Sequence, residues 1–95
     1  MNNIPNVEIN PAISNEVPWS DIKVTDYDER HFIVYLRLLD AAAAGASDEE
    51  MSRVVLKIDP QREPERSRKA LASHLRRAQW MTEVGYRLLL HPLNS

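Results

Sequence analysis

TDYDERHFIVYLRLLDAAAAG, residues 25–45, decides the fold. Thr25 and Asp28 stand three residues apart, the spacing at which a hydroxyl and a carboxylate cap a helix start reciprocally. Asp26, Asp28 and Glu29 fall where the helix dipole favours negative charge. The spacing predicts one helix from Thr25 to Ala44, closed by Gly45, which takes the left-handed conformation without steric cost. Phe32, Tyr35, Leu36, Leu39 and Ala43 form one apolar stripe along it. Ile33, Val34, Leu38, Ala41 and Ala42 form a second, so the apolar arc is wider than a helix on a small domain needs. A second element or another protein is expected to cover the surplus.

Toward the C-terminus, Ser47 and Glu50 form a second capping box, and Met51, Val54, Val55 and Ile58 keep helical spacing until Asp59-Pro60. Pro64 suits the first turn of a third helix, where its missing donor is no loss. Leu71, Leu75, Ala78 and Thr82 give that helix its inward stripe, Trp80, Met81 and Val84 widen its apolar end, and Gly85 closes it. For residues 86–91 periodicity leaves a helical turn and a strand equally open. Toward the N-terminus, Pro5, Pro11 and Pro18 forbid a helix. Residues 1–20 are read as a disordered tail and 21–95 as the domain, with Trp19, Ile22 and Val24 spaced to lay apolar groups onto it. The expected fold is all-α: a small three- to four-helix bundle, a helix-turn-helix variant whose second turn, at roughly six residues, exceeds the usual 3 to 4.

The chain of 95 residues is 43% hydrophobic and 27% charged, ordinary values for one globular domain. It holds no cysteine, which removes disulfides and thiolate metal sites. Its longest apolar run, Phe32 to Leu36, is far short of the roughly 18 residues a membrane span needs. A cytoplasmic protein with no membrane partner is expected. No glycine-rich phosphate loop, GxSxG elbow or HExxH pair is present, so no enzyme and no cofactor is expected. His31, His74 and His91 lack the spacing of metal ligands. His31 is read as solvated and His74 as an edge histidine.

Two surfaces could bind a partner. Residues 62–77 carry six cations against Glu63 and Glu65, and a helical wheel puts Arg66, Lys69, Arg76 and Arg77 on one outward face, a candidate phosphate-binding face. Residues 1–29 oppose it with six acids and one lysine, and the whole chain carries a net charge of −2. The other surface is the apolar excess of helix one and the C-terminal turn, with Val34, Leu38, Trp80, Tyr86 and Leu89 as candidate partner-binding residues.

YLRLLDAAAAGASDEEMSRVVL (35–56) and RSRKALASHLRRAQWMTEVGYRLLLHP (66–92) resemble a proteobacterial domain of unknown function found on mobile elements, the family of the QseM antiactivators. The resemblance implies an extended-turn helix-turn-helix fold. It also implies two branches: longer FseA-type activators in which this domain binds DNA at conjugative-transfer promoters, and stand-alone members that bind the activator and silence it. The acidic N-terminal third favours the second branch. The expectation is a monomeric antiactivator that sequesters a transcriptional activator of an integrative and conjugative element, within a quorum-sensing circuit, by imitating the activator's own helical domain. DNA binding by the basic third helix is the alternative.

Overall fold

A computed structural model describes residues 7–85 together with 87 and 88. The described residues are all helical apart from turns and extended segments, in a small bundle of four helices. The first helix, α1 (Asp26–Arg30), starts as the sequence requires: Thr25 Oγ1 accepts from the Asp28 amide at 3.1 Å, and the Thr25 amide donates to Asp28 Oδ2 at 2.9 Å. A single residue, His31, separates α1 from α2 (Phe32–Ala43), where one helix was expected. The cause is local. The His31 ring bonds the Tyr27 carbonyl at 2.7 Å, the same oxygen that accepts the His31 amide at 3.0 Å, and a side chain competing for a ladder carbonyl loosens the helix there.

Gly45, at φ +85°, ends α2 in the left-handed conformation. The Ser47–Glu50 capping box then opens α3 (Asp48–Glu50), whose chain runs on as a wider π turn over Met51–Leu56. Lys57 follows at φ 62°, and the Ile58 amide reaches back to the Ser52 carbonyl at 3.0 Å. The widened turn puts both Leu56 and Ile58 in the interior, which a regular helix with period 3.6 would not do. Seven residues, 57–63, lead to α4 (Pro64–Trp80), so the long turn is real. A second π turn, Met81–Gly85, continues α4. Gly85 is not left-handed, as a helix stop would be. It is needed because a Cβ there would lie 2.7 Å from Met81 Sδ and 2.8 Å from the Trp80 ring.

The aliphatic core is Val34 and Leu38 of α2, Met51, Leu56 and Ile58 of the α3 region, and Ala70 and Leu71 of α4, with Ile13 packed on it. Val34 and Leu38, from the α2 stripe expected to be left over, are therefore interior, as is Tyr35 from the other stripe. Leu36, from the stripe expected inside, is 61% exposed. What covers Val34 and Leu38 is the α3 region and α4, together with Ile13 from the chain before α1. Residues 7–20 are not free, against the expectation of a tail. Pro11 and Val17 are buried, and extended backbone with no ladder of its own must find partners elsewhere. It finds them on the bundle. The Val17 amide donates to Ser73 Oγ at 2.7 Å and the Ser14 amide to the Tyr27 hydroxyl at 3.0 Å. Arg66 donates to the Ile13 carbonyl at 3.0 Å and to Asn15 Oδ1 at 2.8 Å, binding this strap along α4.

Candidate nucleic-acid interface

The inward face of α4 carries Ser67, Ala70, Leu71, His74, Arg77 and Ala78. The opposite face carries Arg68, Lys69, Ala72, Arg76 and Gln79, all exposed; Lys69, Ala72, Arg76 and Gln79 follow at steps of three and four residues along one stripe, with Arg68 beside it, four residues before Ala72. The acids at the start of the helix are engaged in local pairs: Glu65 with Arg68 at 2.9 Å and Glu63 with Arg66 at 3.4 Å. Both pairs are solvent-exposed and add little stability, but they offset the acidic charge at that end of the stripe. Beside the stripe, a cleft between α4 and the strap is lined by Glu16, Val17, Trp19, Lys69, Ser73 and Arg76.

The four cations expected on one outward face are thus divided. Lys69 and Arg76 lie on it; Arg66 is half-covered by the strap; Arg77 is inside, with 0% exposure. Helical spacing could not reveal this, because the wheel shows which residues share a face but not that the strap and α1 cover it. Arg77 Nη2 meets Asp28 Oδ2 at 2.6 Å and its Nε meets Oδ1 at 3.0 Å. Its remaining donors reach the Ser20 carbonyl at 2.6 Å and the Lys23 carbonyl at 3.1 Å. The guanidinium lies 3.7 Å from the Trp80 ring and 4.5 Å from the Trp19 ring, the attraction expected of a cation over an aromatic face.

Asp28 also accepts from Tyr35 Oη at 2.7 Å. Burial alone would raise its pKa, but the hydrogen bonds from Arg77, the Thr25 amide and Tyr35, with the Arg77 charge, hold it below the ordinary carboxylate value. Burial, followed by the carboxylate it donates to, pushes the Tyr35 phenol up. Both described histidines lie inside, not on the solvated surface or an edge. His74 Nδ1 faces the Ala70 carbonyl at 2.7 Å and Nε2 faces the Tyr27 hydroxyl at 2.5 Å, which fits a neutral ring protonated on Nδ1. Burial holds its pKa down at about 4. Both nitrogens of His31 face carbonyls, those of Tyr27 and Ala12, each at 2.7 Å. Among the described residues no buried side-chain polar atom lacks a partner.

The expected partner-binding residues are not brought together on a surface. Val34 and Leu38 are 2% and 0% exposed, so neither can dock another protein; they are buried against Met51, Leu56 and Ile58, against Ala70 and Leu71 of α4, and under Ile13 of the strap. Trp80 is half-buried against Arg77 and Trp19. Tyr86 and Leu89 lie outside the described residues. Among the described residues an apolar groove opens to solvent between α2 and the end of α4, lined by Phe32, Leu36, Leu39, Ala78 and Met81. Arg68 and Trp19 also lie beside Lys69 and Arg76, and helical-wheel reasoning did not include them. The 68–72–76 spacing pointed to the first; the second was expected to dock on the domain, but nothing in the sequence placed it beside α4. No helix among the described residues is long and apolar enough to cross a membrane.

The described residues thus form an all-helical bundle with a long turn before its longest helix and a basic stripe on that helix's outward face. Residues 11–91 match the family of the RovC DNA-binding domain, described as "T6SS, Transcription factor, DNA binding domain", and the chain belongs to that family. The resemblance to the mobile-element family is carried only that far, to a transcription-regulator domain and not to QseM or FseA relatives specifically. Among curated proteins none matches the chain.

Proposed function

We propose that this chain binds duplex DNA through the exposed stripe of α4, as the DNA-contacting part of a transcription regulator. The observation that carries the reading is the placement of Arg68, Lys69 and Arg76 on one open face, with the small Ala72 between them, in a chain whose family is a DNA-binding one. A helix entering the major groove needs close approach at its middle and donors at either end. Ala72 permits the first. Lys69 and Arg76 supply phosphate contacts, and Arg68 and Gln79 have the donors to reach base edges or phosphates. The chemistry is binding, with no catalytic step and no cofactor. The net charge of −2 confines attraction to this face, since Asp48, Glu49 and Glu50 at the start of α3 repel phosphate.

The test is fluorescence anisotropy of a labelled duplex at low and rising salt. Binding should fall steeply with salt, and Lys69→Gln and Arg76→Gln should each reduce the slope of log K against log salt by about 0.9. Failure of the purified chain to retain duplex DNA at low salt would overturn the reading.

The open groove favours a second reading, in which the chain acts as a cytoplasmic monomeric antiactivator that binds and inhibits a transcriptional activator of conjugative transfer. The observation behind it is the exposure of Leu36 between Phe32 and Leu39. Leu36→Asp would abolish binding of an activator there while leaving DNA affinity unchanged. Loss of DNA affinity on that substitution would place the groove in the DNA interface instead.

A further inference from the structure

The strap does more than close the core, because it carries an aromatic side chain up beside the basic stripe. Trp19 is 45% exposed, yet it is fixed on three sides. Its indole Nε1 donates to Asp21 Oδ1 at 2.6 Å. One side of the ring is engaged by the Arg77 guanidinium at 4.5 Å, and Trp80 meets it edge-on with centroids 6.0 Å apart. The exposed Arg76 guanidinium lies 5.7 Å from the same ring. An exposed aromatic fixed this way has lost its rotamer freedom before any partner arrives, so contact through it costs little further ordering. Lys69 lines the same cleft with Arg76, and Glu16 lines the strap side.

We propose that the strap is a second wall of the DNA site: Trp19 packs against the deoxyribose of a duplex strand whose phosphate is held by Lys69 and Arg76. The inference rests on the reading of α4 as the DNA-binding helix. Charge selects the occupant, since two cations beside an apolar ring fit a sugar–phosphate strand. Duplex is favoured over single-stranded DNA because Arg77 and Trp80 already engage the ring, leaving no run of open faces for successive bases to stack on. Glu16 has the wrong sign for this partner and sets how near the strand can come. That gives the proposal a variant of opposite effect: removing the Glu16 charge should tighten binding.

The experiment measures duplex affinity of the full chain by anisotropy for wild type, Trp19→Ala, Trp19→Phe and Glu16→Gln, with circular dichroism as the check on folding. A Trp80→Phe background makes Trp19 the sole fluorescent indole, since the chain has two tryptophans. Trp19→Ala should weaken binding about tenfold and Trp19→Phe by less than about threefold, as for a packed aromatic anchor. Glu16→Gln should strengthen it about twofold, and the Trp19 emission should shift on adding duplex. If Trp19→Ala proves poorly folded, the emission shift and Glu16→Gln decide. Salt-sensitive binding that is indifferent to Trp19→Ala and Glu16→Gln, with emission unmoved, overturns this inference and leaves the α4 reading standing. Tighter binding of a single strand of equal length overturns the duplex assignment. No duplex binding by the wild type overturns both.

Discussion

The first half of α4 buries Ala70 and Leu71 in an aliphatic core, whereas a turn later the same inward face carries His74 and Arg77 into a polar one. The aliphatic half needs only shape. Its residues are chosen by volume and period, and each buried aliphatic contributes on the order of 1.5–3 kcal/mol however its neighbours are oriented. The polar half needs completeness. A buried guanidinium is tolerable only because Asp28, the carbonyls of Ser20 and Lys23 and two indole rings are all in place. The difference assigns separate tasks: the aliphatic half fixes where the helices cross, and the polar half fixes where the strap lies and therefore which side of α4 stays open.

That contrast can be broken most forcefully at the ion pair. Asp28→Asn leaves Arg77 buried opposite a neutral amide and should cost about 3–5 kcal/mol in chemical denaturation. Replacing both partners together by apolar residues should cost less than either single change, since no charge is then stranded. Additive costs would show that the pair is not the unit described. Leu38→Ala, in the aliphatic half, should cost about 2–4 kcal/mol through a cavity and leave the strap bonded to α4, as amide exchange at Val17 would report.

Acid separates the halves without a mutation. The folded-state pKa of His74, about 4, lies below its ordinary value of 6.5. Between those values the unfolded chain binds a proton that the folded chain does not, so stability falls as pH drops through this window, by up to about 3 kcal/mol. Asp28, lowered in the fold, adds a further loss as pH drops below the carboxylate range. His74→Gln should flatten the upper part of the profile and leave the lower part. The smallest effect is at the edge of the strap, where Ser73→Ala removes the acceptor of the Val17 amide and should cost about 1 kcal/mol in thermal unfolding.

These halves were also unequally legible from the sequence. Helix starts at Thr25, Ser47 and Pro64 and the stop at Gly45 follow from local chemistry, which capping and φ preferences encode within three or four residues. The membership of the aliphatic core was half legible: period 3.6 marked two stripes on α2 but could not say that Val34, Tyr35 and Leu38 would be interior and Leu36 exposed, and the strap that adds Ile13 has its apolar residues scattered singly among prolines and asparagines and reads as a tail. The polar half was illegible. Asp28 and Arg77 are 49 positions apart, and an arginine beside another arginine on an amphipathic helix carries no local sign that one points in and the other out. The same limit applied to the site: Lys69 and Arg76 could be proposed from spacing, Arg66 and Arg77 could not be rejected from it, and Trp19 came to the cleft only through the path of the strap.

The most direct test of α4 as the DNA-binding face is a chemical-shift map recorded while a short duplex is titrated into the labelled chain. The account predicts perturbations along Arg68, Lys69, Ala72, Arg76 and Gln79 and at the Trp19 indole, with the Leu36 groove unchanged. Perturbations confined to Phe32, Leu36, Leu39 and Met81, or none on adding duplex at low salt, would contradict it.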